Sequence, residues 1–352
     1  MLDPGGDESR AMKDACWMIP SKQAPCFIQL GRFGDLILLF PAFKAIYDRT
    51  GHKPIVMVST EYASVFDGIS YAKPFPVHWH WWQGIPEARR LAEEQFGGAI
   101  IPQWWHEPPK DNLLDQQHRG GTVLQCHGHE WGINVERWPN FMTSMWERAG
   151  FTAEEMRRLP LVFDLRDWGR ERLLRESVHS RQNKPLLLVN FTGHSSPFAW
   201  VPEVMRAVNR FQQQFNIVDI GRLKAQRIYD LLGLFDAAAG LITIDTATLH
   251  LAAGSAVPYI AYTRADWSAS VPKGNCVLEI KYRDEEVKGR MGEVVRVLET
   301  WAGSGANSKP GMEEFRNIGY PSPPALLPVR SSRGEGGPTL SSEGGGGGVL
   351  AI

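Results

Sequence analysis

Cysteine is scarce in this sequence. The four residues, Cys16, Cys26, Cys126 and Cys276, stand far apart and form no CxxC pair. That excludes a disulfide framework and fits a reducing compartment. An excess of either charge is also lacking: Lys plus Arg is 38 and Asp plus Glu is 39, for a net charge of −1. Phosphate neutralisation supplies most of the affinity for nucleic acid, so this balance argues against such a partner. Long apolar runs are missing too. Residues 36–43 contain Pro41 and fall far short of the ~20 residues that a membrane span needs. The polar, acidic start at residues 1–10 has no basic segment followed by an apolar one, so no secretory signal is read. No strongly basic amphipathic helix stands out either, which leaves at most a peripheral membrane contact. The expectation is a cytoplasmic chain.

What is present is the composition of a globular protein, 43% apolar and 22% charged over 352 residues. At roughly 150 residues per domain this suggests two domains. Residues 1–24 and 303–352 are polar and rich in Gly, Pro and Ser. They bury too little apolar area to offset their ordering entropy and are read as largely disordered tails, with a short helix allowed near 312–316.

Between the tails run two series of alternating strand and helix signals. In the first, the strand 26–30 (CFIQL) is followed by a helical pattern over 35–48. The strand 55–59 (IVMVS) comes next, then a helix at 87–95 and a strand at 99–101. In the second, strands at 186–189, 217–220, 241–244 and 258–261 alternate with helices at 202–214, 226–239 and 246–253. Continuous apolar strands separated by helices indicate parallel sheets covered on both faces. The charged helical stretch 166–183 reads as an interdomain connection. The expected fold is therefore α/β. Two Rossmann-like doubly wound domains, 25–165 and 184–302, face each other across a cleft. Ligands in such sheets bind beyond the carboxyl ends of the strands, so the informative residues lie on the loops after strands.

Three such loops stand out. Gly31-Arg32-Phe33-Gly34-Asp35 opens the first helix but is neither a GxGxxG fingerprint nor a P-loop. Its glycines allow a tight turn and close backbone approach. Asp35 is either a plain helix cap or, at the mouth of a cleft, a general base. In the second domain a buried strand hands over to a helix through Asp245, Thr246, Ala247 and Thr248. The unpaired N–H groups of that helix's first turn suit an anion such as a diphosphate. His250 sits one turn on and faces either the cleft or the core. Thr192, Gly193 and Ser195, on the loop after strand 186–189, suit contact with phosphate or sugar, or form an ordinary polar loop.

Ten of the 13 Trp residues lie in the first half, several beside His. Trp104, Trp105, His127, His129 and Trp131 form a candidate acceptor wall, because flat rings with polar tips stack on sugar faces; they equally suit a core or an interface. Cys126, His127 and His129 match no standard zinc spacing, so no metal or other cofactor is assigned.

The pairing of GRFGDLILLFPAFKAI with GLITIDTATLHLAAGSAVPYIAY resembles glycosyltransferase family 9, the heptosyltransferase-like enzymes of lipopolysaccharide core synthesis. Gly34, Asp35 and Pro41 match the first family motif. Asp245, Thr246, His250, Ala252 and Ala253 match the second. The sequence departs from the family at Ala247, where Gly is usual, and in 196–200 (SPFAW), where a Lys commonly precedes the Trp. Arg222 or Lys224 are candidate substitutes for that cation. The resemblance spans roughly 26–302 and implies a GT-B fold. It also implies metal-independent inverting transfer from a nucleotide-diphospho-sugar to a glycan or other hydroxyl acceptor, with Asp35 as base. A nucleotide-sugar 2-epimerase-like enzyme and a non-catalytic nucleotide-sugar binder are the alternatives.

Overall fold

The structure is a computed structural model that describes residues 24–79, 82–103, 122–126, 129–133, 141–178, 184–193, 197–263 and 275–303. The short helix allowed near 312–316 lies outside them.

The first half opens with β1 (Cys26–Ile28), followed by two helices, α1 (Phe33–Ile37) and α2 (Phe40–Thr50). The sequence pattern had suggested one helix over 35–48. Pro41 explains the division: it has no N–H to donate and occupies the first turn of α2, where none is needed. β2 (Ile55–Ser59) matches its expected range, and β3 (Lys73–Val77, KPFPV) was not anticipated. Two prolines suit β3 only to the sheet edge, which is where it lies. After α3 (Ile85–Phe96), the expected strand at 99–101 is reduced to a single parallel bridge, Ile100 beside Phe27. Ile28 N–H still donates to Ile100 O, and Ile100 N–H to Cys26 O, both at 2.9 Å. The parallel order is therefore Ile100, β1, β2, β3. Alternation along β1 sends Cys26 and Ile28 to a cluster with Met57, Ile85 and Ala88, and Phe27 to the opposite face with Phe43 and Trp146.

An antiparallel hairpin, β4 (Thr122–Cys126) and β5 (His129–Ile133), precedes α4 (Phe141–Arg148), α5 (Ala153–Arg158) and α6 (Trp168–Val178). The second half contains β6 (Leu186–Asn190), α7 (Val201–Asn209), β7 (Asn216–Asp219), α8 (Leu232–Ala237), β8 (Ala238–Ile244), α9 (Ala247–Ala253), β9 (Tyr259–Thr263), β10 (Cys276–Lys281), α10 (Asp284–Gly289) and α11 (Met291–Gly303). The helix expected over 226–239 is instead a short 3-10 turn, Ile228–Leu231, leading into α8, and β8 begins early at Ala238. The five-stranded parallel sheet has the order β10-β9-β8-β6-β7. One face carries Leu241, Tyr259 and Ala261 under α8 and α9. The other carries Ile242, Ile260 and Tyr262 under α7 and α11.

The halves share one continuous buried cluster that runs from Phe27 and Phe40 through Tyr229 to Leu241. Tyr229 O–H donates to Val65 O in the first half. The chain between the halves is bound to the first one: Tyr71 O–H donates to Val162 O at 2.7 Å, and Ser70 N–H to Asp164 Oδ1 at 2.8 Å.

A Cβ placed on Gly68 would lie 2.5 Å from the Tyr229 ring, whereas one on Gly289 meets nothing within 4 Å. Gly68→Ala should therefore destabilise by about 2 kcal/mol through overpacking, lowering the thermal midpoint by several degrees. Gly289→Ala should leave it unchanged or slightly raised. Equal effects of the two variants in a thermal melt would contradict a tight seam at Tyr229.

Candidate functional site

In each sheet there is one place where consecutive strands are added on opposite sides of a common strand. In the first sheet it falls between β1 and Ile100, and in the second between β6 and β8. Such switch points open a crevice at the carboxyl ends of the strands. Both crevices carry polar side chains here.

At the first, Gln29 follows β1 and the chain turns at Gly31 into α1. Gly31 N–H donates to buried Gln29 Oε1 at 3.4 Å. Asp35 is the third residue of α1, and its Oδ2 accepts the Arg32 N–H at 3.0 Å. The carboxylate therefore does cap its helix, but with one oxygen only. Gln103, three residues beyond Ile100, donates its Nε2 to the same Oδ2 at 3.4 Å. Asp35 keeps a partial exposure. Burial pushes its pKa up to about 6, against the opposing pull of the Arg32 N–H, the Gln103 amide and the Arg32 charge. A carboxyl group that titrates near neutrality is poised to take a proton.

At the second crevice Asn190, the last residue of β6, is buried and spans the gap. Its Nδ2 donates to Thr248 Oγ1 at 2.7 Å, and its Oδ1 accepts the Thr192 N–H at 3.0 Å. Thr248 is thus buried and held by Asn190, not presented to a ligand. Thr246 is the N-cap residue of α9 and makes no side-chain cap bond. Ala247 begins the helix in a backbone conformation that alanine adopts readily. Asp245 N–H donates to Tyr282 Oη at 3.3 Å. Tyr282 belongs to an aromatic wall with Phe198 and Trp200. Gly221, in the 3-10 turn Ile220–Arg222 after β7, has no room for a Cβ, which would lie 2.8 Å from Thr192 Oγ1. Arg222 follows it, largely exposed and 3.0 Å from Asp219, and Lys224 is exposed nearby.

The two crevices meet. α1 packs on α9, and a Cβ on Gly34 would lie 2.9 Å from His250 Cδ2 and 3.7 Å from the Ala247 nitrogen. Gly34 is the residue that permits this approach. His250 is therefore neither plain core nor open to the cleft. It fills the seam, 11% exposed, with Nε2 4.0 Å from Asp245 Oδ1. Burial pushes its pKa down to about 4, so at neutral pH the imidazole is uncharged and the contact is not an ion pair.

Asp35, Gly31, Gly34, Thr192, Gly193, Asp245, Thr246, Ala247, Thr248 and His250 all lie on these loops and helix starts. Trp104, Trp105, His127 and Ser195 lie outside the described residues, and only the backbone of His129 and Trp131 in β5 is described. Sequence reasoning missed Gln103 and the pinning role of Asn190. Gln103 lies two residues past the expected strand 99–101 and Asn190 ends β6, and that position at a strand's carboxyl end was the available signal. Among the described residues no group of three or more His, Cys, Asp or Glu gathers as a metal site, and no helix is long and apolar enough to cross a membrane. A separate open groove of about 470 Å³ runs along the edge strand β7, lined by Lys184, Met205, Asn209, Asp219 and Arg222.

No protein-family model matches the sequence, and no curated protein matches it. Among solved structures, the chain is similar to a family 9 glycosyl transferase from Veillonella parvula, with a TM-score of 0.51 at 12% identity over 81% of this chain and 98% of that one. It is also similar to the ADP-heptose LPS heptosyltransferase II of E. coli, with a TM-score of 0.51 at 11% identity over 80% and 98%. These likenesses show the fold: the chain has the two-part α/β architecture of those transferase structures.

The shifts at Asp35 and His250 act on stability with opposite sign. Asp35 is harder to ionise in the folded chain, so its contribution is fully present below about pH 4 and is lost as pH rises to 6. His250 is harder to protonate, so its contribution is fully present above about pH 6.5 and is lost as pH falls to 4. Asp35→Asn should therefore gain stability relative to the parent between pH 4 and 6, by about 2 kcal/mol, and hold the gain above. Thermal melts of both proteins across that range check this; a pH-independent difference would contradict it.

Proposed function

We propose that this chain is an inverting glycosyltransferase that moves a sugar from a nucleotide-diphospho-sugar to a hydroxyl acceptor. The observation that carries the proposal is the seam at Gly34. It holds a proton-accepting carboxylate and an N–H-rich strand–helix junction at the mouths of two facing crevices. The fold shared with two transferase structures, one of them an ADP-heptose enzyme, supports the same reading.

In this mechanism Asp35 Oδ1 takes the proton of the acceptor hydroxyl. The oxygen attacks the anomeric carbon from the face opposite the diphosphate. A carbon–oxygen bond forms to the acceptor as the bond to the diphosphate breaks, which inverts the configuration. The electron pair leaves on the diphosphate, and the proton passes from Asp35 to solvent. The backbone N–H groups at Thr246 and Ala247, with the Thr192–Gly193 loop, receive the leaving diphosphate. Fixed dipoles aimed at developing charge supply this kind of stabilisation. Asn190 and Thr248 hold those two segments in register. His250 is uncharged and acts as the spacer that sets the distance between carboxylate and diphosphate. Arg222 and Lys224, next to the Thr192 loop, are the cations within reach of a leaving group. The acceptor is a glycan or another hydroxyl compound entering from the first half, with the Trp- and His-rich stretch as its wall. The two domains, 25–165 and 184–302, follow this division of labour. The activity is cytoplasmic, in keeping with unpaired thiols at Cys26 and Cys276.

The test uses nucleoside diphosphates and a panel of nucleotide-sugars. A ligand that binds only the native state raises its melting temperature, so donors are found by thermal shift and transfer is then assayed against hydroxyl acceptors. Asp35→Asn should keep the donor-induced shift and lose transfer by about 10²–10⁴-fold. Full transfer in that variant would remove Asp35 as base. A changed sugar without any acceptor would point instead to an epimerase.

A further inference from the structure

Gln103 sits in an unusual position for an amide. It is 1% exposed, and its Oε1 has no hydrogen-bond partner among the described residues. Its Nε2 reaches Asp35 Oδ2 at 3.4 Å, a long contact of the kind that tightens when a site is occupied. Gly31 makes this meeting possible. A Cβ there would lie 2.4 Å from Asp35 Oδ2 and 2.6 Å from Gln103 Oε1. A buried acceptor left without a donor destabilises a fold, and an apolar side chain of the same length avoids that loss. Among the described residues the amide's one hydrogen-bond partner is Asp35.

We propose that Gln103 is a positioning residue for Asp35: its Nε2, together with the Arg32 N–H, occupies Oδ2 and leaves Oδ1 as the oxygen that accepts a substrate proton. The inference deepens the transferase reading and rests on it for the identity of that proton. The geometry itself does not depend on it. With two donors on one oxygen the carboxylate plane is fixed. The Arg32 N–H alone constrains it less. Each donor also favours the ionised carboxylate. The other titratable groups around Asp35 are Arg32 on its own loop, Tyr62 and Glu61 on the 3-10 turn Thr60–Gly68 packed against α1, with Tyr62 touching both Arg32 and Phe33, and Asp245 and uncharged His250 at the α9 seam. Arg148 of α4 donates to Ile101 O on the segment that carries Gln103. None of these is changed by substituting residue 103.

The experiment titrates stability in the full chain. Melting temperatures of the parent, Asp35→Asn, Gln103→Met and the double variant are measured from pH 4 to 8. The difference between each Asp35→Asn variant and its own background reports the Asp35 titration midpoint. The expected results are two. Gln103→Met is at least as stable as the parent at pH 4, and its Asp35 midpoint moves up by about half a pH unit or more. Gln103→Asn, which keeps an amide but shortens the reach by one methylene, shifts the midpoint in the same direction and serves if the Met variant does not fold. An unmoved midpoint, or the same pH-independent loss in both Asp35 and Asp35→Asn backgrounds, would overturn the proposal and leave Gln103 a structural residue. This readout needs no turnover. A shifted midpoint with no transfer from any nucleotide-sugar therefore separates failure of the transferase reading from failure of the positioning role.

Discussion

The architecture depends on one close contact, between the backbone of Gly34 and the ring of His250. Two sheets of parallel strands each place polar loops at their carboxyl ends, but that alone makes two half-sites. They become one site because α1 has a residue without a side chain where it meets α9. A Cβ at Gly34 would meet His250 Cδ2 at 2.9 Å, so the ring or the helices would have to shift. The seam also sets the electrostatics. It buries His250 enough to keep it uncharged and Asp35 enough to raise its pKa to about 6. Packing and chemistry are thus fixed by the same approach.

The polar groups nearby form a support layer. Asn190 joins the loop after β6 to α9, the Tyr282 hydroxyl holds the Asp245 N–H, and Gln29 holds the Gly31 N–H. Each is a bond from a side chain to a neighbouring loop or helix start. Such bonds fix the position of a ligand-facing backbone without competing for the ligand. The buried cluster through Tyr229 serves the same end on a larger scale, since it ties the halves together away from the cleft.

Much of this was legible in the sequence. Apolar runs separated by helical patterns gave β1, β2 and β6 to β9 nearly in place. The loops that matter were found because each follows a strand. What was missed has physical causes. β3 contains two prolines, which hide an edge strand from any propensity argument. The division between α1 and α2 depends on where Pro41 falls within a helical pattern that is otherwise continuous. The strand expected at 99–101 is only a bridge, because Ile100 pairs with β1 through just two hydrogen bonds. Gln103 and Asn190 have ordinary polar side chains, and only the strand order brings them to the two crevices. The role of His250 was open between core and cleft because one residue 216 positions away, Gly34, decides it.

The most direct measurement is an experimental structure of the chain with a bound nucleoside diphosphate. The account predicts the diphosphate at the backbone nitrogens of Thr246 and Ala247, beside the Thr192 loop, on the side of the seam that Asp35 faces. A diphosphate seated instead in the groove along β7, against Lys184 and Asn209 and away from the Thr246 and Ala247 nitrogens, would contradict it.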